Sequence, residues 1–192
     1  MSLGPQSPEG YWAVRECGSE IDVFWVSTAA RPAVPARVLA QRAVKEVVTP
    51  ACAVRTSPSP HVAVVTIETW LWVECPWQPL SASAEVPGLS ATVTVTPGDV
   101  VWDLGDGEQV TCRGPGVAWD PAVRGEDQST YCSYAYRRSS SGEPNEAYTL
   151  TATLSWSVSW SASNGEGGTL PAVSRSSSIP IRVGEVQAIS TQ

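Results

Sequence analysis

From Leu150 to Ala162 apolar residues alternate one for one with small hydroxylated ones: Leu150, Ala152, Leu154, Trp156, Val158, Trp160 and Ala162 are interleaved with Thr151, Thr153, Ser155, Ser157, Ser159 and Ser161. A period of two puts the first set on one face of a β-strand and the second on the other, so the segment needs a sheet with one buried and one wet face. Thirteen residues at about 3.3 Å each reach roughly 43 Å, longer than most strands, which predicts a bend, a bulge or an overhang.

The same text recurs upstream. Leu89, Ala91, Val93 and Val95 alternate with Ser90, Thr92, Thr94 and Thr96, and Val100, Trp102 and Leu104 line one face before the Gly105-Asp106-Gly107 turn. After the turn at Asn164-Gly165-Glu166-Gly167-Gly168, Ile179, Ile181 and Val183 supply a last strand. Several antiparallel strands at this spacing predict an Ig-like β-sandwich over 79–192. Residues 1–78 read as a small α+β segment. Two short strands flank Cys17-Gly18, and Ala36, Leu39, Ala40, Ala43, Val44 and Val47 form the apolar stripe of a single helix at about 35–48. One or two strands follow at about 62–73, and Pro76-Trp77-Gln78-Pro79 punctuates the chain, placing a boundary near 75–80.

Charge and residue usage exclude several functions. Among 192 residues, 12 Lys and Arg face 19 Asp and Glu, a net charge of -7. Apart from Arg137-Arg138 the basic residues are scattered singly, which leaves no footprint for nucleic acid or an anionic membrane. The single histidine, His61, lies in the turn-like run Ser57-Pro58-Ser59-Pro60-His61, so no site needing two histidines is available. The Gly-containing turns lack the Lys-Ser/Thr and helix that cradle phosphate. No apolar run reaches the roughly 18–20 residues that cross a bilayer.

The five cysteines, Cys17, Cys52, Cys75, Cys112 and Cys132, show no zinc-ligand spacing. Cys112 and Cys132 sit in strand-like text on either side of one loop, which predicts a disulfide; Cys17, Cys52 and Cys75 supply one further bridge among three candidate pairs. Disulfides point to an exported protein whose signal peptide is removed, the Met1-Ser2-Leu3-Gly4 start being neither basic nor apolar.

Val101-Trp102-Asp103-Leu104-Gly105-Asp106-Gly107, then Tyr134-Ala135-Tyr136, Gly142 and Tyr148-Thr149-Leu150-Thr151-Ala152-Thr153 resemble the polycystic kidney disease (PKD) domain over roughly residues 80–186. The whole chain is similar to secreted actinomycete proteins in which a short segment with one helix precedes such a domain. The departures are Leu104, where the family carries Phe, and an insertion at about 111–133. The resemblance implies a PKD-like sandwich in a non-catalytic module at the cell surface or outside the cell.

The residues themselves offer structural and functional readings side by side. Trp102 belongs to the core. Asp103 and Asp106 cap turn amides, the alternative being a calcium site formed with Glu108; no other cofactor is expected. One of Tyr134 and Tyr136 bonds a neighbouring turn. Nine tryptophans against one phenylalanine either fill cores or leave a subset exposed as a stacking platform for sugar rings. Trp156 and Trp160, four residues apart on one face, are the first choice for a platform, followed by Trp77 and Trp119 in Pro-rich loops. The expected partners are cell-wall polysaccharide or another envelope protein. The alternatives are an extracytoplasmic scaffold that pairs through the Ser/Thr face and a glycoside hydrolase using Glu108, Asp120, Glu126 and Asp127.

Overall fold

The computed structural model describes residues 10–17, 20–27 and 34–185. The chain divides into two compact units, Met1–Pro35 and Ala36–Gln192. In the first, β1 (Gly10–Cys17) and β2 (Glu20–Ser27) pair antiparallel, as the β-branched and aromatic text predicts. Trp12 stands opposite Trp25 with ring centroids 5.3 Å apart, edge to face. The leader at Met1–Gly4, the turn at Gly18, the Cys17 side chain and the tail from Val186 lie outside the described residues.

In the second unit, helix α1 (Ala36–Glu46) is followed by β3 (Ala53–Ser57), β4 (Ala63–Val64), β5 (Glu68–Glu74), β6 (Leu80–Val86), β7 (Leu89–Asp103), β8 (Gln109–Cys112), β9 (Ser133–Ala135), β10 (Tyr148–Ala162), β11 (Gly167–Ile181) and β12 (Val183–Gly184). The protein is therefore mainly β, with antiparallel sheets and a short parallel pair, β4 with β12. The large sheet runs β11-β10-β7-β6, and β8 joins the edge of β7 that β6 leaves free, because β6 pairs with Leu89–Val95 and β8 with Val100–Asp103. The smaller sheet runs β3-β5-β9.

The period-two strands behave as their pattern requires. Val93, Val95, Val100, Trp102, Leu150, Leu154, Trp156 and Val158 are buried on one face of the large sheet. Helix α1 covers the β6 end of that face with Ala36, Leu39, Ala40 and Ala43, whose small side chains permit close approach. Toward the other end, Val73 of β5 meets Ala152 and Leu154 of β10 around a small void. The overlong β10 carries register shifts at Leu154/Trp156 against β7 and at Trp156/Val158 against β11. Gly98 sits against the first shift, where a Cβ would stand 3.2 Å from the Ser155 carbonyl. The bulge thus bends the strand midway.

Two expectations change. The boundary near 75–80 falls inside the second unit: Pro76–Pro79 connects β5 of the small sheet to β6 of the large one, and a change of sheet carries the same Pro punctuation as a domain linker. Of the one or two strands expected at about 62–73 there are two, β4 and β5, parted by a turn in which Thr66 has φ 66° and the Ile67 amide donates to Val64 O at 3.2 Å. The last strand begins at Gly167, twelve residues ahead of Ile179.

The cysteines lock this arrangement. Cys112–Cys132 ties the end of β8 in the large sheet to the entrance of β9 in the small one. Cys52–Cys75 is the second bridge; it extends the β3–β5 ladder one step beyond the Ala53↔Glu74 pair.

Candidate functional site

Alternation along β5 turns Thr69, Leu71 and Val73 inward and leaves Trp70, Trp72 and Glu74 on the outer face of the small sheet. Arg55 of β3 is registered opposite Trp72, and its Nε donates to Glu74 Oε2 at 2.9 Å. The loop closed by Cys112–Cys132 runs along the edge of β5 that pairs with β9, where the Val73 amide donates to Pro115 O at 2.8 Å, and its Trp119 packs edge to face on Trp70 at 4.9 Å. Trp70 is thereby buried. What remains open is a groove of about 440 Å³ with Trp72, Trp77 and Trp119 on its walls, beside Arg55, Glu74 and Gly116. All three of these indoles are half-buried. Cys75 also lines the groove, so both disulfides hold its walls.

The loop is internally ordered. Gln128 Oε1 accepts the Asp120 amide, and Gln128 Nε2 donates to the carbonyls of Asp120 and Val123, each at 2.9 Å. The Gly116 amide donates to the Tyr131 hydroxyl at 3.1 Å. Gly116 itself has φ +86°, and a Cβ there would overlap the Leu71 carbonyl and stand 2.8 Å from Trp72 Cα. Gly116→Ala is therefore expected to destabilise the protein by about 2 kcal/mol or more, through backbone strain and overlap together, and to push the loop off Trp72. Thermal denaturation checks this; an unchanged midpoint would show that the loop does not touch the sheet.

The sequence-predicted platform is corrected. Trp156 and Trp160 are 0% and 8% exposed on the inner face of the large sheet, and neither indole N–H has a hydrogen-bond partner among the described residues; they fill the core. Trp77 and Trp119, from two loops far apart in sequence, do come together. Trp72 completes their groove without a sign in the sequence, because a strand as apolar as Thr69–Val73 does not declare which of its faces is covered.

Asp103, Asp106 and Glu108 hold a turn. Asp103 Oδ1 accepts the Gly105 amide at 3.0 Å, and Asp106 Oδ1 accepts the Glu108 amide at 3.1 Å. The Tyr134 hydroxyl donates to Asp106 Oδ2 at 2.9 Å and the Tyr136 hydroxyl to Leu104 O at 3.2 Å, so both tyrosines clamp the turn. Among the described residues no group of three His, Cys, Asp or Glu could hold a metal ion. The calcium reading is corrected accordingly: three of the four aspartate oxygens are engaged by amides and a phenol.

Burial first, then the hydrogen bond and negative charge of Asp106, pushes the Tyr134 phenol up to about 12. Burial likewise raises Tyr136 and Tyr148. A phenol whose folded pKa lies above its unfolded value of about 10 adds stability that is complete below pH 10 and is lost as pH rises through the folded value. Denaturant midpoints are expected to hold level up to about pH 10 and fall between about pH 10 and 12. Tyr134→Phe is expected to flatten that fall, and a profile equally steep in the variant would contradict the assignment.

The carboxylates weighed for glycoside hydrolysis serve local structure. Arg124 pairs with both Glu126 and Asp127 at 2.9 Å, Asp120 Oδ1 accepts the Ala122 amide, and Glu108 stands on the β7–β8 turn. The hydroxyl face of the large sheet bonds largely to itself, through Ser81–Thr94, Ser83–Thr92, Thr151–Ser178 and Thr153–Ser176. Among the described residues no helix is long and apolar enough to cross a membrane. Searches with this chain match no protein-family model, no curated protein and no solved structure.

Proposed function

We propose that this chain is a non-enzymatic, exported interaction module with a PKD-like, Ig-like β-sandwich, acting at the bacterial cell surface or outside the cell. Its ligand, cell-wall material or an envelope protein, seats in the groove between Trp72, Trp77 and Trp119. The observation that carries this reading is the open aromatic groove itself: half-buried indoles on a disulfide-pinned wall offer amphipathic area at low conformational cost. Export is supported by the two disulfides, which persist in oxidising compartments. The sandwich is supported by the tyrosine clamp on the Asp103–Gly107 turn, the segment that carries the PKD resemblance. Scaffolding through the Ser/Thr face is the weaker reading, since eight of its hydroxyls pair with one another and Ser157 and Ser159 donate to backbone carbonyls.

Co-sedimentation of the oxidised protein with isolated cell walls, their attached proteins retained, tests this. Trp72→Ala combined with Trp119→Ala is expected to keep its fold and to lose binding at least tenfold. Binding that survives in that folded double variant contradicts the groove as the site.

A further inference from the structure

We infer that the groove takes an uncharged, equatorially linked pyranose chain rather than a charged polymer or a peptide. The inference rests on the proposed binding role of the groove and names the chemistry of its ligand. The three indoles provide apolar area for the C–H faces of sugar rings. A volume of about 440 Å³ lies within the roughly 300–1,000 Å³ of clefts that hold small ligands.

The charged side chains lining the groove are one cation and one anion. Arg55 donates through Nε to Glu74 Oε2 at 2.9 Å, and the two side chains are 54% and 65% exposed. That bond engages only Nε and Oε2 of two residues that both line the groove. Together they donate and accept, as a pair of neighbouring sugar hydroxyls requires, and their charges cancel. A net charge of -7 on the chain further opposes polyanions such as phosphate-bearing wall polymers or nucleic acid. Equatorial linkage keeps successive rings in a flat ribbon, so indoles from a strand and from two loops contact neighbouring rings of one chain.

The probes are cellohexaose and chitohexaose, with deca-proline as the peptide contrast, titrated into the oxidised full chain and followed through the indole N–H signals in NMR spectra. One or both oligosaccharides are expected to shift Trp72, Trp77 and Trp119 and to leave Trp102 and Trp156 in place. Trp72→Ala and Trp119→Ala, each shown to be folded, are expected to raise Kd at least tenfold. Arg55→Met, which keeps the stem and removes the donors, is expected to raise Kd about threefold to tenfold. Added salt is expected to leave Kd unchanged within a factor of two.

Deca-proline shifting the same three indoles while both sugars fail overturns the sugar inference and leaves the binding groove standing. Failure of both oligosaccharides, with wall binding still abolished by the Trp72/Trp119 double variant, overturns it in the same way. Wall binding that ignores the double variant overturns both readings.

Discussion

Trp156→Ala is expected to destabilise the protein by about 3–5 kcal/mol, the usual range for removing a buried tryptophan. Its side chain is 0% exposed, and it stands where β10 bulges, between the register shifts against β7 and β11. Truncation there leaves a void that a bent strand cannot close without losing pairing on both sides. For a unit of this size the midpoint of thermal unfolding should drop by roughly 6–20 °C. The matched control is Trp72→Ala, which removes the same side chain from a half-buried site in the groove and should shift the midpoint far less. Equal losses in the two variants would mean that Trp72 is as buried as Trp156, and the groove would then be closed.

Cys112→Ala with Cys132→Ala is the second large effect. The bridge closes a loop with a sequence separation of 20 residues, for which chain entropy predicts about 3 kcal/mol. The consequence reaches past stability, because the released loop carries Trp119 and the Pro115 carbonyl that accepts the Val73 amide. Wall binding is expected to fall along with the unfolding midpoint. Cys52→Ala with Cys75→Ala opens a loop of similar separation, 23 residues. That bridge reinforces a β3–β5 ladder with five registered pairs of its own, so the second pair of substitutions should weaken binding less than the first. The reverse order would show that the Cys112–Cys132 loop does not shape the groove.

Where one face of a strand is buried and the other wet, the sequence declares it. Leu150–Ala162 and Leu89–Val95 are legible for that reason, and the same alternation already placed Trp156 and Trp160 on the apolar face. Reading those two as an exposed platform required that face to stay uncovered, which β3–β5–β9 and α1 prevent. Helix α1 was legible from its stripe, although it ends two residues early, where the Val47 amide bonds back to Val44 O. By contrast β11 is an edge strand, with Pro171, Arg175 and Ser176 exposed. Ahead of Ile179 its order comes from backbone bonds to β10, and that stretch carries no hydrophobic period to announce it. The Cys52–Cys75 pair follows at once from the β3–β5 register, which is a long-range fact absent from the local text. The groove joins Trp72 on a strand to Trp77 and Trp119 on separate loops, and only the disulfide-closed fold brings them together.

Hydroxyl-radical footprinting of the oxidised protein, free and bound to isolated cell walls, with oxidation read residue by residue by mass spectrometry, tests the central claim most directly. The account predicts that binding protects Trp72, Trp77 and Trp119 while the buried Trp102 and Trp156 stay unoxidised in both states. Protection confined to the Ser/Thr face of the large sheet, with the three groove indoles oxidised equally in both states, would contradict it.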